Sequence, residues 1–88
     1  MKGTVFVDEQ ALPIVDIYLR DGLVVVVAQR RGPMTLPGQS EARIHDPQGN
    51  LVLVTPFDAG QHAWRANRRG TMTVVLPIRI DAVQGWPR

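Results

Sequence analysis

The pattern of apolar positions predicts a β-hairpin over residues 12–28, and we expect the rest of the chain to pack around it. Two apolar, β-branched runs flank the Asp-Gly pair at 21–22. Asp-Gly suits a type I′ turn, because both central residues of that turn need a positive φ. In the first run Val15, Ile17 and Leu19 alternate with polar residues. That alternation is typical of a half-buried antiparallel strand.

The second strand of this hairpin, residues 23–28, is apolar on both faces. Its sequence is Leu-Val-Val-Val-Val-Ala. A strand with no polar face has to be covered on both sides. We therefore expect a second sheet, or a second subunit, to lie against it.

Three further stretches have strand character. Residues 39–45 and 51–55 flank the turn sequence Asp-Pro-Gln-Gly-Asn at 46–50 and predict a second hairpin. Residues 71–80 alternate with a period of two, and Pro77 within them predicts an edge strand or a bulge. The stretch 61–66 fits either a short strand or a helical turn.

A short β-prone run at 3–8 completes the set, and we expect an unpaired sheet edge at residues 5–7 or 71–80. No window shows a 3.6-residue apolar period, so little or no helix is expected. Six to seven short strands separated by turns predict an all-β fold. The two candidates are a small antiparallel β-sandwich (immunoglobulin-like), which the doubly apolar strand favours, and a partly open barrel. The expected division is one domain at 1–80 and a short C-terminal tail at 81–88.

Composition restricts the possible functions of the chain more than it restricts the possible folds. The 88 residues carry a net charge of +2 and no cysteine, which excludes disulfides, thiolate metal sites and a cysteine nucleophile. The chain starts without the apolar segment of a signal peptide and has no apolar run long enough for a membrane span. These absences fit a cytosolic protein or a virion component that is assembled in the cytosol.

The side chains that usually carry catalysis are scarce. Ser40 lacks a Gly-x-Ser-x-Gly setting, and His45, Asp46 and His62 do not have the spacing of a zinc site. We therefore expect a protein that is not an enzyme and that needs no metal or cofactor.

Two Arg-Arg-Gly sequences, at 30–32 and 68–70, stand in predicted turns. Guanidinium groups there could pair with phosphate, with an acidic protein subunit, or only with solvent. The two tryptophans are interface candidates because Trp is enriched in interface hot spots and can stack on a base, although core closure is an alternative for the first and docking onto its own sheet for the second. The candidate partner-binding residues are Arg30, Arg31, Trp64, Arg68, Arg69 and Trp86.

The short all-β chain with its Asp-Gly hairpin, Gly-Pro loop and Asp-Pro-Gln-Gly-Asn turn resembles small structural proteins of tailed bacteriophages, such as capsid decoration and head–tail accessory proteins. Bacterial immunoglobulin-like modules share these features. The resemblance implies a structural module that binds other protein subunits through β edges and apolar surface, as a homo-oligomer. The alternative is a small nucleic-acid-binding barrel of the OB or SH3 type that uses the Arg-Arg-Gly loops; an inhibitor of a host enzyme is a third reading.

Overall fold

A computed structural model describes residues 2–32, 38–61 and 64–79, and within these ranges the chain forms strands and no helix. The all-β prediction is confirmed. No helix in these ranges is long and apolar enough to cross a membrane. The strands are β1 (Thr4–Val7), β2 (Gln10–Arg20), β3 (Leu23–Gln29), β4 (Ser40–His45), β5 (Leu51–Phe57), β6 (Trp64–Ala66) and β7 (Thr71–Arg79).

The seven strands form one curled antiparallel sheet in the order β5-β4-β1-β2-β3-β7-β6. This is the partly open barrel of the two predicted architectures. The two separate sheets of an immunoglobulin-like sandwich do not form, because the long strand β2 belongs to both halves of the sheet. Its first residues pair with β1, up to Thr4↔Pro13, and its remainder pairs with β3 from Ile14↔Ala28 onward.

A β-bulge in β2 lets the sheet bend. The register with β3 shifts between Ile14 and Asp16. Leu12 and Ile14 are buried before the bulge, whereas Ile17 packs against the core after it. The extra residue, Val15, is 49% exposed, contrary to the alternation that placed it on the buried face. Bulges increase local twist and bend a strand, which is what a sheet needs in order to curl.

The predicted hairpin of β2 and β3 is confirmed, as is its turn. Asp21 and Gly22 have φ values of 54° and 78°, the positive values that a type I′ turn requires. The second predicted hairpin, β4 and β5, is confirmed as well, and Gly49 in its turn has a φ of 89°.

Strand β3 is covered on both faces by its own chain. Val24, Val26 and Ala28 belong to the central core. On the opposite face Val25 lies between Tyr18 of β2 and Val75 of β7 and is 0% exposed. Among the described residues no second sheet lies over this outer face, and the neighbouring side chains of the same sheet flank Val25 instead. The core residues are Val5, Val7, Leu12, Ile14, Val24, Val26, Ala28, Ala42, Ile44, Leu53, Phe57, Met72, Val74 and Leu76.

The predicted edge strands were wrong. Strand β1 lies between β4 and β2, and β7 lies between β3 and β6. The edges are β5 and β6, because the chain crosses from β3 to the far side of β1 before it forms β4. Pro77 sits where the pairing of β3 with β7 shifts register, so the bulge predicted for it is confirmed.

The ambiguous stretch 61–66 is partly resolved. Residues 64–66 of the stretch 61–66 form a strand, β6, paired with β7. The tail at 81–88 and the middle of the Gly-Pro loop lie outside the described residues.

Candidate binding surfaces

The fold brings the two Arg-Arg-Gly turns together at one end of the β3–β7 ladder. Gln29 and Thr71 are the pair at that end of the ladder, and each turn continues directly from it. The backbone N–H of Arg30 donates to the backbone oxygen of Gly70 at 2.9 Å. Sequence analysis found both motifs, but their contact depends on strand pairing that no local pattern shows.

The Arg30 guanidinium is held by the protein itself. Its Nε donates to the backbone oxygen of Thr71 at 3.2 Å, and its Nη2 to that of Asn67 at 3.0 Å. Nη1 donates to the backbone oxygen of Gly32 at 3.1 Å. Three carbonyls from two turns therefore share one cation. This geometry makes Arg30 a clamp between the turns, with three of the five guanidinium N–H groups already used inside the protein.

The other three turn arginines present their charge to solvent. Arg31, Arg68 and Arg69 are exposed, and none of them forms an ion pair with any residue that the structure describes. They extend the two turns that Arg30 joins, so three guanidinium groups are concentrated at one end of the sheet. Such a cluster favours an anionic partner.

Trp64 serves the core and a surface at the same time. It is half-buried, packs against the core cluster and also lines a pocket on the other side of β6. Core closure and an interface position, the two alternatives for this residue, are thus both compatible with its place at the sheet edge. Trp86, the second tryptophan candidate, lies outside the described residues.

That pocket is a shallow concavity of about 170 Å³ that opens between β2 and β6. It is lined by Tyr18, Arg20, Trp64, Arg65, Thr73 and Val75. Tyr18, Arg20 and Arg65 are not among the binding candidates that the sequence predicts. The signal was present in part, because alternation had placed Tyr18 and Arg20 on the polar face of β2, but nothing local showed that β6 would border the same face.

Charges around the pocket are mostly positive. Arg20 lies beside Tyr18, with its Cζ 5.9 Å from the ring centroid. Arg65 is exposed on β6 and is the register partner of Thr73. Asp16, on the same face, is engaged by Lys2 at 3.3 Å and also accepts the backbone N–H of Ile17. Neither arginine has an ion-pair partner within the described ranges.

A second surface lies at the opposite edge of the sheet, on β5. This strand, Leu-Val-Leu-Val-Thr-Pro-Phe, contains no charged residue, and among the described strands it pairs with β4 alone. Leu51 and Val54 are 55% and 44% exposed. On the face shared with Val54, Arg43 of β4 lies over Phe6 of β1 at 5.2 Å.

The histidine and aspartate residues considered for metal binding have structural contacts. Asp46 Oδ1 accepts the backbone N–H groups of Gln48 at 3.0 Å and Asn50 at 2.8 Å, which caps the β4–β5 turn. His45 packs edge-on against the ring of Phe6, with centroids 4.8 Å apart. His62 lies outside the described residues. No group of three potential ligands is close enough to hold a metal ion in the part of the chain that the structure describes.

Comparison with known proteins adds no family to this description. The chain matches no protein-family model, no curated protein and no solved structure. The class that can be stated is therefore structural: a seven-stranded, partly open antiparallel barrel with a basic, aromatic pocket beside one sheet edge and an uncharged strand at the other.

Proposed function

We propose that this protein is a non-enzymatic structural subunit that pairs with other protein subunits through the outer edge of β5, where the order of the described strands ends, and that a second copy of the chain is the first such partner. The observation that carries the proposal is the uncharged, seven-residue edge strand itself. Exposed edges with long apolar strands are templates for pairing with another chain, and monomeric proteins protect them with charges, bulges or short length.

Strand β5 has little of that protection. It carries no Lys, Arg, Asp or Glu, and its two protecting features are Pro56 and a register shift near its start, between the pairs Ile44↔Leu53 and His45↔Leu51. Leu51 and Val54 add exposed apolar side chains to this edge. Burying both in an interface would remove apolar surface from water as well as satisfy the edge.

A second copy fits this edge for reasons of symmetry. When two copies of one strand pair antiparallel across a two-fold axis, both copies use the same surface and every contact occurs twice. Since β5 has no charge, such a pairing brings no like charges together. A coat or tail subunit with a free strand would complete β5 in the same way, and the phage-particle setting is a prediction of the resemblance alone.

Introducing a charge on the edge should abolish the pairing. Val54→Glu places a carboxylate at the exposed face of β5, opposite Arg43, so the folded monomer gains a cross-strand partner of opposite charge. In a two-fold pair the new carboxylates of the two copies would approach each other in a partly desolvated interface. We expect wild type to be a dimer at about 100 µM by light scattering coupled to size exclusion, and Val54→Glu to be a monomer, with the dissociation constant of the dimer raised roughly tenfold or more.

The matched control is Val15→Glu. Val15 has almost the same exposure, 49% against 44%, but lies at the bulge of β2, away from either sheet edge. We expect this variant to dimerise like wild type. A wild-type protein that is strictly monomeric at that concentration, or equal weakening by both variants, would contradict pairing through β5.

A further inference from the structure

The pocket between β2 and β6 combines two aromatic residues with two arginines on one face of the sheet. We propose that this outer face, formed by β2, β3, β7 and β6, binds single-stranded nucleic acid, with a base in the pocket and phosphates at the turn arginines. This site lies on the outer face of the sheet and includes no residue of β5, although the curl of the sheet brings β5 close to β7.

The pocket has the chemistry of a base-stacking site. Tyr18 and Trp64 supply aromatic surface, Thr73 supplies a hydroxyl, and Val75 supplies an apolar floor. Aromatic side chains bind the bases of single strands by stacking, with little sequence preference. A volume of about 170 Å³ exceeds the ~30 Å³ share of one water and falls below the range of roughly 300–1,000 Å³ typical of drug-sized ligands. The pocket volume is therefore on the scale of one aromatic ring.

Arginines flank this pocket on both sides. Arg20, on β2, lies near Tyr18, and Arg65 lies on β6 at the other wall. Guanidinium groups bind phosphate oxygens through paired hydrogen bonds. Because neither has an ion-pair partner in the described part of the chain, and Asp16 nearby is already engaged by Lys2, the charge of both is available to an anion.

The turn arginines continue the same line of positive charge. From Val25, at the level of the pocket, β3 runs four residues to Gln29, where the two turns begin. At about 3.3 Å per residue this is roughly 13 Å, a distance that a few nucleotides of extended strand can span. The Arg30 clamp holds the two turns together, so Arg31, Arg68 and Arg69 occupy one end of this path. Between the pocket and the turns, β3 and β7 carry the uncharged residues Val27, Thr71 and Thr73. The carboxylate on this part of the face is that of Asp16 on β2, the register partner of Val27, and it is paired with Lys2.

Fluorescence anisotropy with a labelled 15-nucleotide oligo-dT tests the site. At low salt we expect wild type to bind, with an affinity that falls steeply as salt rises, because phosphate contacts release counterions. Arg65→Gln should lower the affinity several-fold and reduce the slope of log affinity against log salt by about 0.7, the value for one phosphate contact on a single strand. Tyr18→Leu, which keeps apolar cover over Val25 but removes the ring, should weaken binding by about tenfold.

Arg43→Gln is the matched control, since it removes the same charge from the other half of the sheet, where Arg43 lies over Phe6. We expect its affinity to stay within twofold of wild type. The site is overturned if oligo-dT does not bind at 20 mM salt, or if Arg43→Gln and Arg65→Gln weaken binding equally. It is also overturned if duplex DNA binds more tightly than the single strand, or if poly-glutamate competes as well as the oligonucleotide. Thermal unfolding of each variant shows that the fold is retained.

Discussion

Replacing Gly3 with alanine is expected to destabilise this protein more than any other single methyl group added at a described glycine. Gly3 is buried at the start of β1 with a φ of 105°. A Cβ there would overlap the backbone oxygen of His45, the residue that ends β4. The backbone oxygen of Gly3 also accepts the N–H of Ile14 in β2 at 2.9 Å, so this residue cannot shift without disturbing both neighbouring strands.

The expected loss in the free energy of unfolding for Gly3→Ala is about 3 kcal/mol or more, because a strained φ and a backbone clash add together. Small domains of this size have a total stability of order 5 kcal/mol, so the variant should be largely unfolded at mild denaturant concentrations. Urea unfolding followed by circular dichroism measures the difference.

Gly49→Ala separates the two contributions. Gly49 also has a positive φ, 89°, but a Cβ there meets nothing within 4 Å. We expect it to cost about 1 kcal/mol from backbone strain alone. If the two alanine variants lost equal stability, the close approach of β1 to the end of β4 would not exist in solution.

Local pattern was sufficient for the elements and for most of the core. The Asp-Gly turn, the capped turn after β4 and the buried stripe of Met72, Val74 and Leu76 each follow from neighbouring residues, since turn chemistry and alternation act over a few positions. The strand order does not follow from neighbouring residues. Alternation tells which face of a strand is buried and leaves open which strands lie beside it, so β1 and β7 were predicted at edges that β5 and β6 occupy.

The doubly apolar strand β3 is covered without the facing sheet that its pattern predicted. Residues apolar on both faces need cover, and a facing sheet was expected to supply it. In a strongly curled sheet, large side chains on adjacent strands can supply it instead, as Tyr18 and Val75 do beside Val25. Of the large apolar side chains that stay exposed, Leu51 and Val54 lie on β5 at the sheet edge, whereas Val15 and Leu19 lie on β2.

The role of Arg30, unlike that of the other candidate arginines, also depends on strand pairing and not on local pattern. Two identical Arg-Arg-Gly sequences give no reason to treat their first arginines differently. Only the pairing of Gln29 with Thr71 places Arg30 within reach of the carbonyls of the second turn. The pocket also depends on strand pairing, because Tyr18 and Arg65 line one surface only when β2, β3, β7 and β6 are side by side.

Arg30→Met is expected to lower the free energy of unfolding by about 2 kcal/mol, the second-largest effect predicted here. Methionine keeps the apolar stem of the side chain but leaves the carbonyls of Thr71, Asn67 and Gly32 without their shared donor. Hydrogen bonds to a charged group each contribute about 1.5–3 kcal/mol, and partial exposure of these carbonyls to water reduces the sum. Hydrogen exchange at the turn residues should rise together with the loss of stability.

Arg31→Met provides the comparison, since it removes the same charge one residue along the chain. Arg31 is exposed and has no ion pair among the described residues, so its loss should change the free energy of unfolding by less than about 0.5 kcal/mol. Binding of oligo-dT should respond differently from stability: Arg31→Met should weaken this binding although the fold stays intact. A variant pair with equal stability would show that Arg30 is not a clamp, and that the two turns are held together by β3 and β7 alone.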